Sequence, residues 1–456
     1  MKKLVTVILA AGMFLACSAP ASAVDVKMDG EYAFQLYMGE NLPSGSNFDM
    51  IGQRLRLGMT FTADENLSGY FQVQVGTAAD SPTTYDWGAD PSGNSTKIGM
   101  RQAYIDWKIP HTSVKVRMGR QLIALPMDAF GKSTIMQSWS GRDGITVTTP
   151  VTDWLKLTAF WMRGAYDDAD SGNDTSLSEK SDYFALMGAF KFDGVSFTPY
   201  VMYGSLDRGA SVLASSDANT KFNDKTKVSA SGNAFWVGSN FVLSYFDPFV
   251  LKISGAYGSI AYKGDSLEGG KPGGNMNDRE GWYVQAKASY KTDYGTPVLG
   301  AWYGSGDDNN AQYARQGWIP TNVGRFHPTF GYFAGNNYPY NSRRNNIGGT
   351  CGVQAGIEEV SFLEDLTHKF TVSFIRGTNS DAQSSAMAPE NYLTTGDSLV
   401  EFDLATTYKI YKNLSTVLEL AYIINDFDES DHQAYAATHE MDKNGWSASL
   451  LLQYKF

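Results

Sequence analysis

Two short runs set cations at every second position: Arg54 and Arg56 in Gln53-Arg-Leu-Arg-Leu57, and Lys115 and Arg117 in Val114-Lys-Val-Arg-Met118. Guanidinium and ammonium groups at such spacing break no bonds by themselves. Ranged along a water-filled passage, they attract, orient and sort charged solutes. Alternate side chains of an extended chain point to opposite faces, so the cations share one face while Leu55, Leu57, Val114, Val116 and Met118 share the other.

The side chains that hydrolysis or redox chemistry needs are sparse. The five histidines, His111, His327, His368, His432 and His439, show no His-x-x-x-His spacing, and no Gly-x-Ser-x-Gly elbow occurs. No catalytic residue is expected. The carboxylate-rich stretches Asp167 to Asp174, Asp307-Asp308 and Asp426 to Asp431 lack the glycine and glutamate positions of a twelve-residue calcium loop. They read as solvated loop charge, with weak divalent-ion binding at a lipopolysaccharide surface as a second reading; no metal or cofactor is implied.

The cations must be held by strands. Lys27 to Met38 sets Tyr32, Phe34, Leu36 and Met38 against Asp29, Glu31 and Gln35, and Met50 to Thr62 repeats the pattern with Leu55, Leu57, Met59 and Phe61 opposite Arg54, Arg56 and Thr60. A tight turn at 63–66 leads to a third strand with Phe71, Val73 and Val75 on its apolar face. Long connections near 77–96, 121–143, 164–181, 205–232, 259–281, 305–349, 377–397 and 425–444 then alternate with turn-forming reversals such as Asp193-Gly194 and Thr292-Asp-Tyr-Gly295. Short turns on one side and long loops on the other are the arrangement of a transmembrane antiparallel β-barrel, with the short turns periplasmic and the long loops external. The pattern predicts an all-β fold of about eighteen strands, sixteen being the alternative. Gly144 to Thr149 and the segments flanking 305–349 alternate least clearly, and Arg101 is not assigned to either face because Ala103, Ile105 and Trp107 suit both. Glu31, Glu401 and Asp403 fall on the water face, so part of the facing wall is expected to be acidic.

Composition fits that class. Mean hydropathy is −0.28, yet a barrel averages lipid-facing with water-facing positions, and 26 Tyr and 25 Phe suit interfacial girdles. Met1-Lys-Lys3, the apolar run Leu4 to Ala16 and Ala21-Ser-Ala23 form a secretory signal peptide over residues 1–23, leaving 24–456 as the barrel. A lipoprotein site at Cys17 is the weaker alternative. Removing this leader also removes Cys17, so Cys351 has no disulfide partner within the chain. The formal net charge of −11 argues against a nucleic-acid partner. A secreted β-sandwich would share the alternation, but a sandwich of this length needs several cores and gives no reason for the long/short loop rhythm.

The last segment, Trp446-Ser-Ala-Ser-Leu-Leu-Leu-Gln-Tyr-Lys-Phe456, places Leu450, Leu452, Tyr454 and Phe456 on one face, with Leu451 alone out of pattern. It resembles the C-terminal signal read by the bacterial outer-membrane assembly machinery. The run from Lys97 through Ser113-Val-Lys-Val-Arg-Met-Gly-Arg-Gln121 to Arg142-Asp-Gly144 resembles the central region of trimeric general porins, in detail over residues 97–150 and in architecture over the whole chain. In that family the third external loop folds inward to narrow the channel. The resemblance implies a homotrimer in the outer membrane, in contact with the lipid bilayer and lipopolysaccharide. It makes 121–143 the constriction loop, less acidic here than is usual for that family, and turns Arg120 inward. Arg54, Arg56, Lys115, Arg117, Arg120 and Arg142 would then line the constriction, with Asp128 and Asp143 facing the basic strip across a narrow gap.

The expected function is passive diffusion of small hydrophilic solutes through a general porin. A substrate-specific channel for sugars or carboxylates is the first alternative, and a surface adhesin using the Tyr-, Asn- and Gly-rich 305–349 loop the second.

Overall fold

The computed structural model describes residues 24–42, 48–75, 98–137, 141–167, 179–206, 231–263, 278–311, 315–321, 325–333, 346–441 and 443–456. The proposed leader, residues 1–23, and most of the Asp167 to Asp174 stretch lie outside them. The described residues form eighteen strands: β1 (Asp25–Glu40), β2 (Phe48–Thr62), β3 (Leu67–Val75), β4 (Ile98–Lys108), β5 (Lys115–Gln121), β6 (Arg142–Thr152), β7 (Leu155–Asp167), β8 (Glu179–Phe192), β9 (Val195–Leu206), β10 (Ser231–Leu243), β11 (Phe249–Lys263), β12 (Arg279–Tyr290), β13 (Thr296–Gly304), β14 (Thr350–Leu363), β15 (Leu366–Gly377), β16 (Ser398–Tyr411), β17 (Leu414–Asp426) and β18 (Gly445–Lys455). Each pairs antiparallel with its neighbour in sequence, and β18 pairs with β1 from Glu31↔Lys455 to Glu40↔Trp446. The sheet is a closed ring.

Closure answers the demand that hydrocarbon makes on a backbone: every N–H and C=O must find a partner within the protein, since an orphan costs several kcal/mol. The segments that alternated poorly in sequence, β6, β13 and β14, are full members of the ring. Side-chain parity is that of a barrel in lipid. Phe184, Leu186, Val201, Tyr203, Phe235 and Val237 are 42–50% exposed on the outer face, a surface that would drive association in water. Tyrosines with polar partners sit toward the loop ends of this face, as in Tyr203 to Asn233 (2.8 Å) and Tyr257 to Glu280 (3.1 Å), where water and lipid meet. Leu450, Tyr454 and Phe456 point outward at 42–47% exposure, and the Phe456 N–H and carbonyl both bond Gly30 of β1, at 3.0 and 2.7 Å. Leu451, the residue out of pattern, faces inward and is buried.

The interior departs from a simple water-filled tube. Phe160, Met162, Tyr183, Met202 and Trp236 point inward and are buried, and they form one apolar cluster with Ile123, Leu125, Ile135 and Met136 of the β5–β6 loop and Phe326, Phe333 and Ile347 of the β13–β14 loop. Burying a Leu, Ile or Met contributes about 1.5–3 kcal/mol, while fixing each loop residue costs about 1–2 kcal/mol. Apolar contact alone barely offsets the ordering, so the hydrogen bonds that tie these loops to the wall decide where they lie.

Above the wall the external loops are fastened to one another. Buried Asp307 accepts the Tyr392 hydroxyl at 2.7 Å and the Gly317 N–H at 2.7 Å. Asn379 accepts from the Trp318 indole at 2.7 Å. His432 and Asp397, both fully buried, meet at 2.9 Å and join the β17–β18 loop to the β15–β16 loop.

Candidate functional site

The arginine wall is built by β1 to β5. Register sets Glu31 opposite Arg56 and Ala33 opposite Arg54. Arg54 donates to Glu31, Arg56 lies 3.7 Å from the same carboxylate oxygen, and the Arg56 Nε donates to Gln74 at 2.9 Å. Gln453 of β18 donates to the other Glu31 oxygen at 3.0 Å. One carboxylate thus fixes two guanidinium groups.

Further round, Asp106 is held by both Arg117 nitrogens, Nε at 2.7 Å and the terminal nitrogen at 2.8 Å, and by Lys115 at 2.9 Å. Arg117 also lies over the Tyr104 ring, its Cζ 3.9 Å from the centroid. A bidentate pair with a ring on one face locks a guanidinium in place and leaves its remaining N–H groups free to meet a solute.

Arg101, unassigned in sequence, points inward and donates to Gln72 at 2.6 Å. A register shift between β3 and β4 at Gln72/Val73 gives it this direction: Arg101 and Gln102 are consecutive, yet both are buried on the inner side. The bulge explains why period-two counting failed there. Among the described residues of this wall, Arg54, Arg56, Arg101, Lys115 and Arg117 stand with three carboxylates, Asp29, Glu31 and Asp106.

The β5–β6 loop folds into the barrel and docks on the far side. Asn240 of β10 donates to the Met127 carbonyl. The Ala129 N–H donates to Ser254 of β11 at 2.9 Å, Tyr283 of β12 donates to Asp128 at 2.9 Å, and Gln285 donates to the Thr134 hydroxyl at 2.8 Å. Asp128 therefore does not look across a gap at the arginines. It is buried beneath its own loop, and burial, only partly offset by the Thr134 and Tyr283 hydrogen bonds, pushes its carboxyl up to about 6.

Two more expectations are corrected. Arg120 pairs with Asp143 at 3.7 Å, the two directly opposed between β5 and β6. Their parity is that of Met118 and Ile145, so both lie on the outer side, Asp143 being 69% exposed. Gly119 shows why the Gly-Arg pair does not turn inward: at φ 118° its Cβ position lies 2.4 Å from the Ala103 carbonyl oxygen, and the glycine lets β5 press against β4 without re-aiming Arg120. Arg142, across from Gln121, keeps inward parity at the mouth of the same loop.

The second correction concerns the facing wall. Glu401 and Asp403 do point inward, but they are 0% and 1% exposed. The β13–β14 loop covers them: the Phe330 N–H reaches Asp403 at 3.2 Å, and the Gly331 and Tyr332 N–H groups reach Glu401 at 2.5 and 3.1 Å. This loop also meets β10 through Trp236 and Pro320 (2.7 Å), β14 through Gln354 and Pro328 (2.8 Å), and the β5–β6 loop through Arg325 and Ser133 (2.8 Å). Phe130 and Phe326 close the junction at 5.8 Å. Sequence reading foresaw one inward loop and not this one; its signal lay in Phe330-Gly331-Tyr332, an aromatic-glycine-aromatic turn opposite two lumen carboxylates.

Among the described residues no group of three His, Cys, Asp or Glu side chains is placed to hold a metal ion. No family model matches the chain, and no curated protein matches it. Solved structures do. The chain is similar to Pseudomonas aeruginosa OpdK solved with vanillate, at 12% identity and a TM-score of 0.57, covering 95% of this chain and 98% of that one. It is similar to P. aeruginosa OccK2 (OpdF) in complex with glucuronate, at 12% identity, a TM-score of 0.55 and the same coverage. Acinetobacter baumannii OccAB2 gives 12% identity and a TM-score of 0.55, again over 95% and 98% of the two chains. The likeness is one of fold, over nearly the whole of each chain.

Proposed function

We propose that the protein is an outer-membrane channel that takes up small organic anions selectively, rather than a general diffusion porin. The observation that carries this reading is the arginine wall. Five cations, held by the carboxylates of Glu31 and Asp106, by Gln72 and by Tyr104, face a passage narrowed by two loops docked on β10 to β16. Covering Glu401 and Asp403 withdraws the acidic counterweight, so a solute meets mainly positive charge although the chain as a whole is acidic.

Two similar structures bear on solute class: the molecules bound to OpdK and OccK2, vanillate and glucuronate, both carry a carboxylate. The general-porin expectation gives way for a physical reason. A passage narrowed by a packed apolar core and lined by oriented guanidinium groups makes specific contacts with what crosses it. Homotrimerisation and recognition of the β18 face by the assembly machinery belong to the same proposal, the second resting on the outward Leu450, Leu452, Tyr454 and Phe456.

The test is a planar-bilayer recording in a salt gradient, with small carboxylates added in turn. The proposal requires anion-favouring reversal potentials and saturable interruption of current by a carboxylate. A linear, ohmic response indifferent to solute identity would mark a general pore instead.

A further inference from the structure

We infer that the lumen holds a second anion-binding site on the wall facing the arginines, just beyond the constriction, formed by Lys252, Lys287 and Lys369. This inference rests on the channel reading above and adds a station that the arginine wall does not contain.

Lys287 of β12 and Lys369 of β15 converge on one carboxylate. The Lys287 ammonium reaches Glu358 at 2.9 and 3.0 Å, across β13, and Lys369 reaches it at 3.0 Å from the adjacent strand. Lys252 of β11 stands directly opposite Lys287 in the register, is exposed on the inner side, and has no carboxylate partner among the described residues. Two ammonium groups thus converge on one carboxylate with a third beside them. Asp403 lies close enough to Lys369 to feel its charge but is covered by the Phe330 N–H at 3.2 Å, and Glu359 lies at a β-bulge with φ 58° and is engaged by the Thr296 hydroxyl at 2.8 Å.

The position of this cluster gives it a role in transit. Gln285, which holds the β5–β6 loop through Thr134, is two residues from Lys287 on the same face of β12, a separation of about 7 Å along the strand toward the short-turn end. Lys369 lies 5.6 Å from the ring centroid of Phe330, in the docked part of the β13–β14 loop. Both inward loops therefore end where the lysines begin. A carboxylate leaving the constriction arrives beside ammonium groups that can donate to it, while Glu358 keeps two of them oriented and moderates their hold enough for release.

The experiment places the full-length protein in a planar bilayer and adds benzoate to one side at a time. For benzoate entering from the short-turn side, K252Q/K287Q/K369Q is expected to shorten residence about tenfold, and E358Q to lengthen it; block from the loop side stays near wild type in both. Because E358Q moves residence the opposite way, a folding defect cannot imitate the pair. Unchanged short-turn-side residence in both variants overturns the site, and leaves the channel reading intact if loop-side block persists and responds to R54Q/R117Q. No block of the wild type from either side overturns the channel reading and this site with it.

Discussion

Asp128 of the β5–β6 loop and Tyr283 of β12 meet at 2.9 Å inside the barrel, and this bond carries the narrowing loop from one wall to the other. Burial holds the Asp128 carboxyl at about 6, above its ordinary 3.8. The folded state therefore keeps this proton better than an undocked loop does. Docking is tightest below pH 3.8 and its extra stability, about 3 kcal/mol at most, is lost as pH rises from there through 6. Hydrogen exchange of residues 122–137, corrected for intrinsic rates, should accelerate between pH 5 and 7.5 in the wild type and stay flat in D128N. Y283F should loosen the loop at every pH.

Removing cations from the arginine wall should redirect ion flow. R54Q/R117Q leaves Glu31 and Asp106 with fewer partners, and the change in local potential, about 1 kcal/mol for a monovalent ion, corresponds to roughly a fivefold fall in the anion-to-cation permeability ratio. Reversal potentials in a potassium chloride gradient measure it. A ratio equal to wild type would show that these arginines only solvate the wall.

The β13–β14 loop should act as a second restriction. In E401A/D403A, the N–H groups of Phe330, Gly331 and Tyr332 lose their acceptors, at about 1–3 kcal/mol for each buried donor left unpaired. The loop should leave the wall, giving a larger single-channel conductance and weaker discrimination among carboxylates. Conductance at or below wild type in a correctly folded barrel would contradict this.

His432 gives the external loops a pH limit of the same sense. Its Nε2 meets Asp397 at 2.9 Å and its Nδ1 meets the Met387 and Ser384 carbonyls at 2.9 and 3.2 Å, so acceptors surround the ring on both sides. Burial alone would lower its affinity for a proton, but the Asp397 carboxylate and the carbonyls outweigh it and raise it above 6.5. The fastening is complete below 6.5 and is lost as pH rises through that higher value. Limited proteolysis of the 427–444 loop should speed up from pH 6.5 to 9 in the wild type, whereas H432N should be cut readily throughout.

What was legible in the sequence followed from period-two alternation. Strand number, ring closure, the inward parity of Arg54, Arg56, Lys115 and Arg117, and the outward parity of Phe71, Val73 and Leu450 all rest on side chains that a straight strand must alternate. Arg101 was illegible because a bulge places two successive residues on one side. Arg120 and Asp143 were misjudged because resemblance was preferred to parity at a strand end, and parity governed. Asp128, Glu401 and Asp403 were read as charges facing water because nothing local to them says that a loop distant in sequence will lie on top of them; Asp128 bonds β12, 155 positions away, and Glu401 bonds Gly331, 70 positions away.

Pairing of β18 with β1 makes the structure's integrity collective. Deleting one hairpin from an open sheet merely moves its border, whereas here the loss of any strand exposes two raw edges to hydrocarbon at once, and the remaining strands must bend afresh to find each other. A cut within an external loop spares the circle, and removal of a single stave opens all of it.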